Sequence, residues 1–142
     1  MKYPAIKKAT RITLSGDSAG GMGTQNNGDR VGQLLSEKIH DAQYDYRMIP
    51  DSGWFRTGPS YKDYPCTTTL ECNIEKRTKL GQDLWNLKPD DSCAEKFGEE
   101  NRYLCMFLHV DGVMEEFSYP IMPVFYIYDA WQIFQDGINS SD

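Results

Sequence analysis

Long apolar runs are missing from this sequence. The longest, residues 103–108, falls far short of the roughly 20 residues that cross a bilayer, so no membrane-spanning helix is expected. The first ten residues, MKYPAIKKAT, hold no hydrophobic signal core. Their reading is a cytoplasmic protein or part of an assembled particle, not one secreted by a signal peptide. Basic charge is also scarce: 15 Lys and Arg stand against 21 Asp and Glu, for a net charge of −6. Nonspecific nucleic-acid affinity comes from neutralising phosphates, so a nucleic-acid partner is not expected. Tight cysteine pairs are absent, because Cys66 and Cys72 are separated by five residues and Cys93 and Cys105 by eleven. Neither spacing is that of a zinc site, and the expectation is no metal and no cofactor. In a reducing compartment all four read as thiols first and as disulfides second.

What is present describes one folded domain over residues 1–142, with 39% hydrophobic and 13% aromatic residues. Residues 1–10 read as a basic extended arm or edge strand, because Pro4 removes a ladder donor. Residues 11–15 alternate as a short strand. Residues 16–28 then hold five glycines among Ser, Thr, Asn, Gln and Asp, a composition that predicts a loop. A helix follows over 29–42, capped by Asn26 or Asn27, with Val31, Leu34, Leu35, Ile39 and Ala42 as its apolar stripe. Residues 44–49 read as the second strand, closed by Pro50.

The rest predicts a mainly antiparallel sheet with short helices. Residues 66–74 alternate strictly, which is the pattern of a half-buried strand. Residues 75–87 carry helical spacing, and Ser92 with Glu95 predicts a cap for a short helix ending near Gly98. Asp111-Gly112, between the apolar segments 103–110 and 113–119, predicts a two-residue hairpin. A strand over 124–128 and a last helix capped by Asp129 with Gln132 complete an α+β fold that opens on a βαβ-like unit.

Glycines between a strand and a helix can present backbone amides to an anion. On that reading Gly20, Gly21, Gly23, Thr24, Asn27, Asp29 and Arg30 would hold a phosphate-containing small molecule or nucleotide. Asp29 stands where a phosphate loop carries its lysine, and an acid there repels the ligand. The stretch RITLSGDSAGGMG, continued through YDYRMIPDSGWFRTGPS, resembles the gamma-type domain of 2-oxoacid:ferredoxin oxidoreductases over residues 11–60. That resemblance implies a strand feeding a glycine-rich turn and helix, and it does not continue into the second half. The spacing from the loop to Ile49-Pro50-Asp51 is also similar to that of molybdopterin-binding proteins.

Gly16-Asp17-Ser18-Ala19-Gly20 matches G-x-S-x-G and resembles the nucleophile segment of hormone-sensitive-lipase-like esterases. Such chemistry requires Ser18 on a strained elbow, an acid such as Asp51 and a base such as His109. With 15 residues before Gly16, the upstream strands and oxyanion segment have no room, and the hydrolase ranks last. His109 inside an apolar segment reads as a core residue. No residue is therefore assigned a catalytic role.

The aromatics are the remaining signal. Trp54, Phe55, Tyr61, Tyr64 and Trp131, with the arm lysines Lys7 and Lys8, are the residue types that bury in subunit contacts. The leading expectation is a non-catalytic assembly or protein–protein interaction subunit, a structural component of a viral or phage-like particle, whose partners are itself or other protein subunits. The small-molecule or nucleotide-binding domain is the alternative, and the Ser18 hydrolase comes after it.

Overall fold

The structure is a computed structural model, described here over residues 4–39, 43–59, 61, 66–67 and 72–135. Its centre is a strand, a long helix and a second strand: β1 (Arg11–Asp17), α1 (Ala19–Lys38) and β2 (Asp45–Asp51). The strands pair in parallel from Arg11 opposite Asp45 to Asp17 opposite Asp51. Each alternates, so Tyr46, Met48 and Pro50 are buried while Arg11, Thr13, Ser15 and Arg47 face outward. α1 lies on the inner face, where Leu35, Ile39, Tyr46 and Met48 form a core joined by Ile12, Leu14, Val31, Tyr119 and Ile121. The βαβ-like opening thus stands as a parallel pair.

A third segment extends this pairing. Met48 N–H donates to Pro120 O and Met122 N–H to Met48 O, both at 2.9 Å, and Val124 N–H donates to Pro50 O at 2.9 Å. Residues 120–124 therefore run parallel to β2, with bridges at Ile121 and Val124. The predicted strand at 124–128 is shifted: residues 125–128 carry no strand pairing.

Among the described residues five short helical elements follow, beyond a 3-10 turn at Pro4–Lys8: α2 (Ile74–Leu84), α3 (Asp91–Phe97), a 3-10 run over Glu99–Met106, a 3-10 turn at Met114–Glu116 and α4 (Ala130–Gln135). Asn73 caps α2 by accepting Lys76 N–H. Asp90 rather than Ser92 caps α3 by accepting Cys93 N–H, and Gly98 at φ 77° ends it. A second core joins Phe55, Ile74, Tyr103, Met106 and Phe107.

Several expectations are corrected here. The glycine loop at 16–28 is mostly helix, because α1 begins at Ala19, ten residues before the predicted start. Two glycines of α1 mark close packing: a Cβ at Gly28 would overlap the Met48 side chain, and one at Gly32 would overlap the Tyr119 ring. Neither Asn26 nor Asn27 is a cap, since both lie inside the helix. The arm is no edge strand at residues 4–8, and Ile6 packs onto the first core.

The hairpin at 111–112 is likewise corrected. Gly112 does take a positive φ of 80°, but it joins 3-10 and turn segments rather than strands. Residues 103–108 bury on several sides at once, a pattern that an apolar run produces in either conformation. Of the strand predicted at 66–74, residues 68–71 lie outside the described residues and Ile74 opens α2. The described sheet pairing is parallel rather than antiparallel.

The cysteines are also corrected. Cys66 bonds to Cys72 and Cys93 to Cys105. Two disulfides belong to an oxidising environment such as that of secreted proteins, which overturns the cytoplasmic, unsecreted reading.

Candidate active site

At the carboxyl end of β1 the chain turns into α1 through one residue, Ser18, whose backbone sits at φ 54° and ψ −115°. Left-handed φ is uncommon for serine and costs of order 1–3 kcal/mol, so surrounding structure must impose it. Three features do. Gly16 and Gly20 approach so closely that a Cβ on Gly16 would overlap the Gly20 carbonyl. Ser18 N–H donates to Asp51 O at 2.9 Å, tying the turn to the end of β2. Gly21 lies against Gly53, where an added Cβ would come within 2.7 Å of Asp51 O and 2.8 Å of Gly53 Cα.

The result is an exposed Ser18 at the N-terminus of a 20-residue helix, with open space where a Gly20 side chain would stand. The positive end of the helix dipole and the amide of Ala19 are suited to an oxyanion forming beside Ser18. A strand, a strained serine and a helix have the layout of a nucleophile elbow.

Two carboxylates close the paired strands at this end of the sheet, Asp17 opposite Asp51. Asp17 ends β1, and Asp51 ends β2 with Oδ1 accepting Ser52 Oγ–H at 3.0 Å. Beyond residues 120–124 comes Asp129, whose Oδ1 accepts Trp131 N–H at 2.9 Å and Gln132 N–H at 3.1 Å, the expected cap of α4. The loop after β2 links these parts: Trp54 packs on Phe125 at 5.0 Å between ring centroids, Phe55 on Trp131 at 5.3 Å, and Arg56 N–H donates to Gln132 Oε1.

His109 does not complete this group as a base. Its Nε2 accepts from Thr57 N–H at 3.1 Å and lies 2.8 Å from Thr57 Oγ1, while Nδ1 is buried without a partner. Burial holds its pKa below the usual histidine range. His40 lies outside the described residues.

The residues predicted to hold a ligand are all in α1. Gly20, Gly21 and Gly23 occupy its first turns, Thr24 Oγ1 donates to Gly20 O, and Asn27 Nδ2 donates to Gly23 O. Asp29 is 3% exposed, and its Oδ2 accepts Ser118 N–H at 2.6 Å. Burial raises the Asp29 pKa, against the lowering effect of that hydrogen bond. Arg30 lies 3.7 Å from Asp91. With Asn26, Asp90 and Ser118 these two line a cavity of about 70 Å³.

Of the predicted contact residues, Lys7, Lys8, Tyr61 and Trp131 are exposed, Trp54 is half-buried and Phe55 is buried. Tyr64 lies outside the described residues. The motif Gly16-x-Ser18-x-Gly20 was visible in the sequence, and what set it last was the short stretch of 15 residues before Gly16 and the apolar setting of His109.

Comparison with known proteins gives a consistent answer. The pectinacetylesterase family model matches residues 1–141. Palmitoleoyl-protein carboxylesterase NOTUM of Homo sapiens is 30% identical over 134 residues, covering 94% of this chain and 26% of that protein. Palmitoleoyl-protein carboxylesterase notum2 of Xenopus laevis is 29% identical over 135 residues, covering 95% and 27%. The chain thus spans about a quarter of the length of these relatives. The structure of the Wnt deacylase Notum from Drosophila superposes with a TM-score of 0.74 at 23% identity, covering 89% of this chain and 34% of that one, and shows a shared fold.

These matches overturn three expectations. Nothing in them points to the gamma-type domain of 2-oxoacid:ferredoxin oxidoreductases, whose likeness was shared strand-turn-helix-strand grammar. The non-catalytic assembly subunit and the virion component fall with it, since the relatives are carboxylesterases. The chain belongs to the pectinacetylesterase family.

Proposed function

We propose that this chain carries the nucleophile of a serine carboxylesterase, with Ser18 as the attacking residue. The observation that carries the reading is the left-handed Ser18 between β1 and α1, held by Asp51 O. Ser18 Oγ attacks the ester carbonyl as a base takes its proton, and the Ala19 amide stabilises the oxyanion. The base returns that proton to the departing alcohol as the acyl-enzyme forms, and water, giving its proton to the same base, then releases the acid and restores Ser18.

Asp129 takes the part of the acid. It follows the third parallel segment, and its place after the nucleophile agrees with the order Ser, acid, His of such hydrolases. Both His40 and His109 precede Asp129, so that order selects neither as the base.

The substrate is an O-acyl ester on a larger molecule, and a lipid-acylated protein is the protein partner that the relatives' names favour. The exposed rings of Phe125, Tyr126, Tyr128 and Trp131, beyond the same sheet edge, suit an acyl chain longer than acetyl.

The test is labelling of the full protein with a fluorophosphonate probe, read by peptide mass spectrometry, beside hydrolysis of p-nitrophenyl acetate and octanoate. Adduct on Ser18, loss of labelling in Ser18→Ala and faster turnover of octanoate are expected. A wild-type protein that hydrolyses esters without adduct on Ser18 removes the reading.

A further inference from the structure

Gln25 is among the most deeply buried side chains of the molecule, at 1% exposure, and it is polar. It stands on α1 seven residues beyond Ser18. Its Nε2 donates to Gly53 O at 2.9 Å, while Oε1 is buried without a partner. A buried carbonyl oxygen left unbonded is unfavourable relative to an apolar side chain of the same size, so packing alone does not explain a glutamine here. What an apolar residue could not supply is the bond to Gly53.

Gly53 is where that bond matters. Seven residues are roughly two helical turns, so the Ser18 and Gln25 positions stand about 10 Å apart along α1. The chain leaving β2 is fastened to α1 at both: Asp51 O accepts Ser18 N–H, and Gly53 O accepts Gln25 Nε2–H. Between them the Gly21 and Gly53 backbones touch. Ser52, the residue spanning the two fastenings, is itself left-handed at φ 50°. Two strained serines at adjacent strand ends are therefore held against each other by one helix.

We propose that Gln25 is a positioning residue for the nucleophile, an inference that rests on the Ser18 esterase reading. Its amide holds Gly53 against Gly21, which keeps Asp51 O on the Ser18 amide and Ser18 in its left-handed turn. The rest of the loop has other anchors, since Ser52 N–H donates to Val124 O and Thr57 N–H to His109 Nε2. Loss of Gln25 thus loosens the elbow while the fold persists. The effect falls on the chemical step and leaves substrate binding alone, because Gln25 is sealed from solvent.

The experiment compares Gln25→Met, which keeps length and removes the donor, and Gln25→Glu, which keeps shape and replaces the donor with an acceptor. Both should lower kcat and the limiting rate of fluorophosphonate labelling at least tenfold with KM unchanged. Hydrogen exchange at the Ser18 amide should accelerate more than exchange in the middle of α1. Wild-type kcat in Gln25→Met overturns the proposal, as does a uniform rise in exchange along α1. If neither variant folds, the unmutated protein decides by NMR: slow solvent exchange of the Gln25 side-chain NH2 is expected, and fast exchange overturns the proposal. Failure of the esterase reading is distinct, since it appears as absent Ser18 labelling in the wild type.

Discussion

The Ser18 amide donates to the Asp51 carbonyl across 2.9 Å, joining the turn after β1 to the end of β2. This bond needs the two backbones close together, and Gly21 against Gly53 provides the room. An L-side chain at position 21 would displace backbone rather than a flexible side-chain end. Gly21→Ala is expected to lower stability by roughly 1–3 kcal/mol, as overpacking does. Gly23→Ala, which meets nothing within 4 Å, should raise it by roughly 0.5–1 kcal/mol through helix propensity. Urea denaturation of both variants checks the pair, and equal effects would refute the close-packing account.

Arg102 ties the second half together from a nearly buried position. Its guanidinium donates to Leu87 O at 3.1 Å, Glu99 O at 3.0 Å and Gln82 O at 3.1 Å, and it pairs with the carboxylates of Asp83 and Glu99. Both carboxylates are largely exposed, so the ion pairs contribute little and the carbonyl bonds dominate. Arg102→Met should cost about 2–4 kcal/mol by stranding those carbonyls. Arg102→Lys should recover less than half, because a single compact ammonium nitrogen cannot span the carbonyls that Nε, Nη1 and Nη2 reach separately. Thermal unfolding of the two variants measures the difference.

The Cys93–Cys105 bond ties α3 to the 3-10 run over Glu99–Met106, with both cysteines buried. Closing a loop of this length is worth about 3 kcal/mol. Reduction, or the double substitution Cys93→Ala with Cys105→Ala, should lower the unfolding free energy by that order. An unchanged urea midpoint in the double variant, which leaves Cys66–Cys72 intact, would show that the bond carries no stability.

β1 and β2, the end of α3 and the Asp129 cap were legible in the sequence because their signals are local: alternation at Tyr46 and Met48, Gly98 after Phe97, Asp129 before Ala130. The start of α1 was not. Gly20, Gly21 and Gly23 weaken a helix by intrinsic preference, and what overrides this is packing of the helix far along the chain, Gly21 on Gly53 and Gly28 on Met48. The candidate site suffered the same way. Ser18 stood in its motif, but with 15 residues before Gly16 the motif's upstream context was missing, and its glycine-rich surroundings hid the helix that follows it. The disulfides were hidden because the compartment was judged from the N-terminus, whereas Cys93 and Cys105 meet only once α3 and the following 3-10 run are folded.

Asp29 supplies a pH test with a definite sign. It is 3% exposed, and its Oδ2 accepts the Ser118 amide while Oδ1 has no partner. Burial is the largest influence on its carboxyl and nearby Asp90 adds to it, so the folded-state pKa lies above the ordinary 3.8. The folded protein therefore binds this proton more tightly than the unfolded chain does. The resulting contribution is fully present below the unfolded pKa and is lost as pH rises through the folded one. Asp29→Asn fixes the neutral form and keeps an acceptor for Ser118 N–H. Because other carboxylates move both curves together, the quantity to follow is the stability of Asp29→Asn minus that of the parent. It should shift in favour of the variant as pH rises from about 4 through the raised folded pKa, then level off. Asp29→Ala, which strands the Ser118 amide, should cost about 1–3 kcal/mol across the same range. Urea midpoints of the three proteins at half-unit pH steps decide it, and a difference that is flat or runs the other way would mean that Asp29 is no more protonated in the fold than in the unfolded chain.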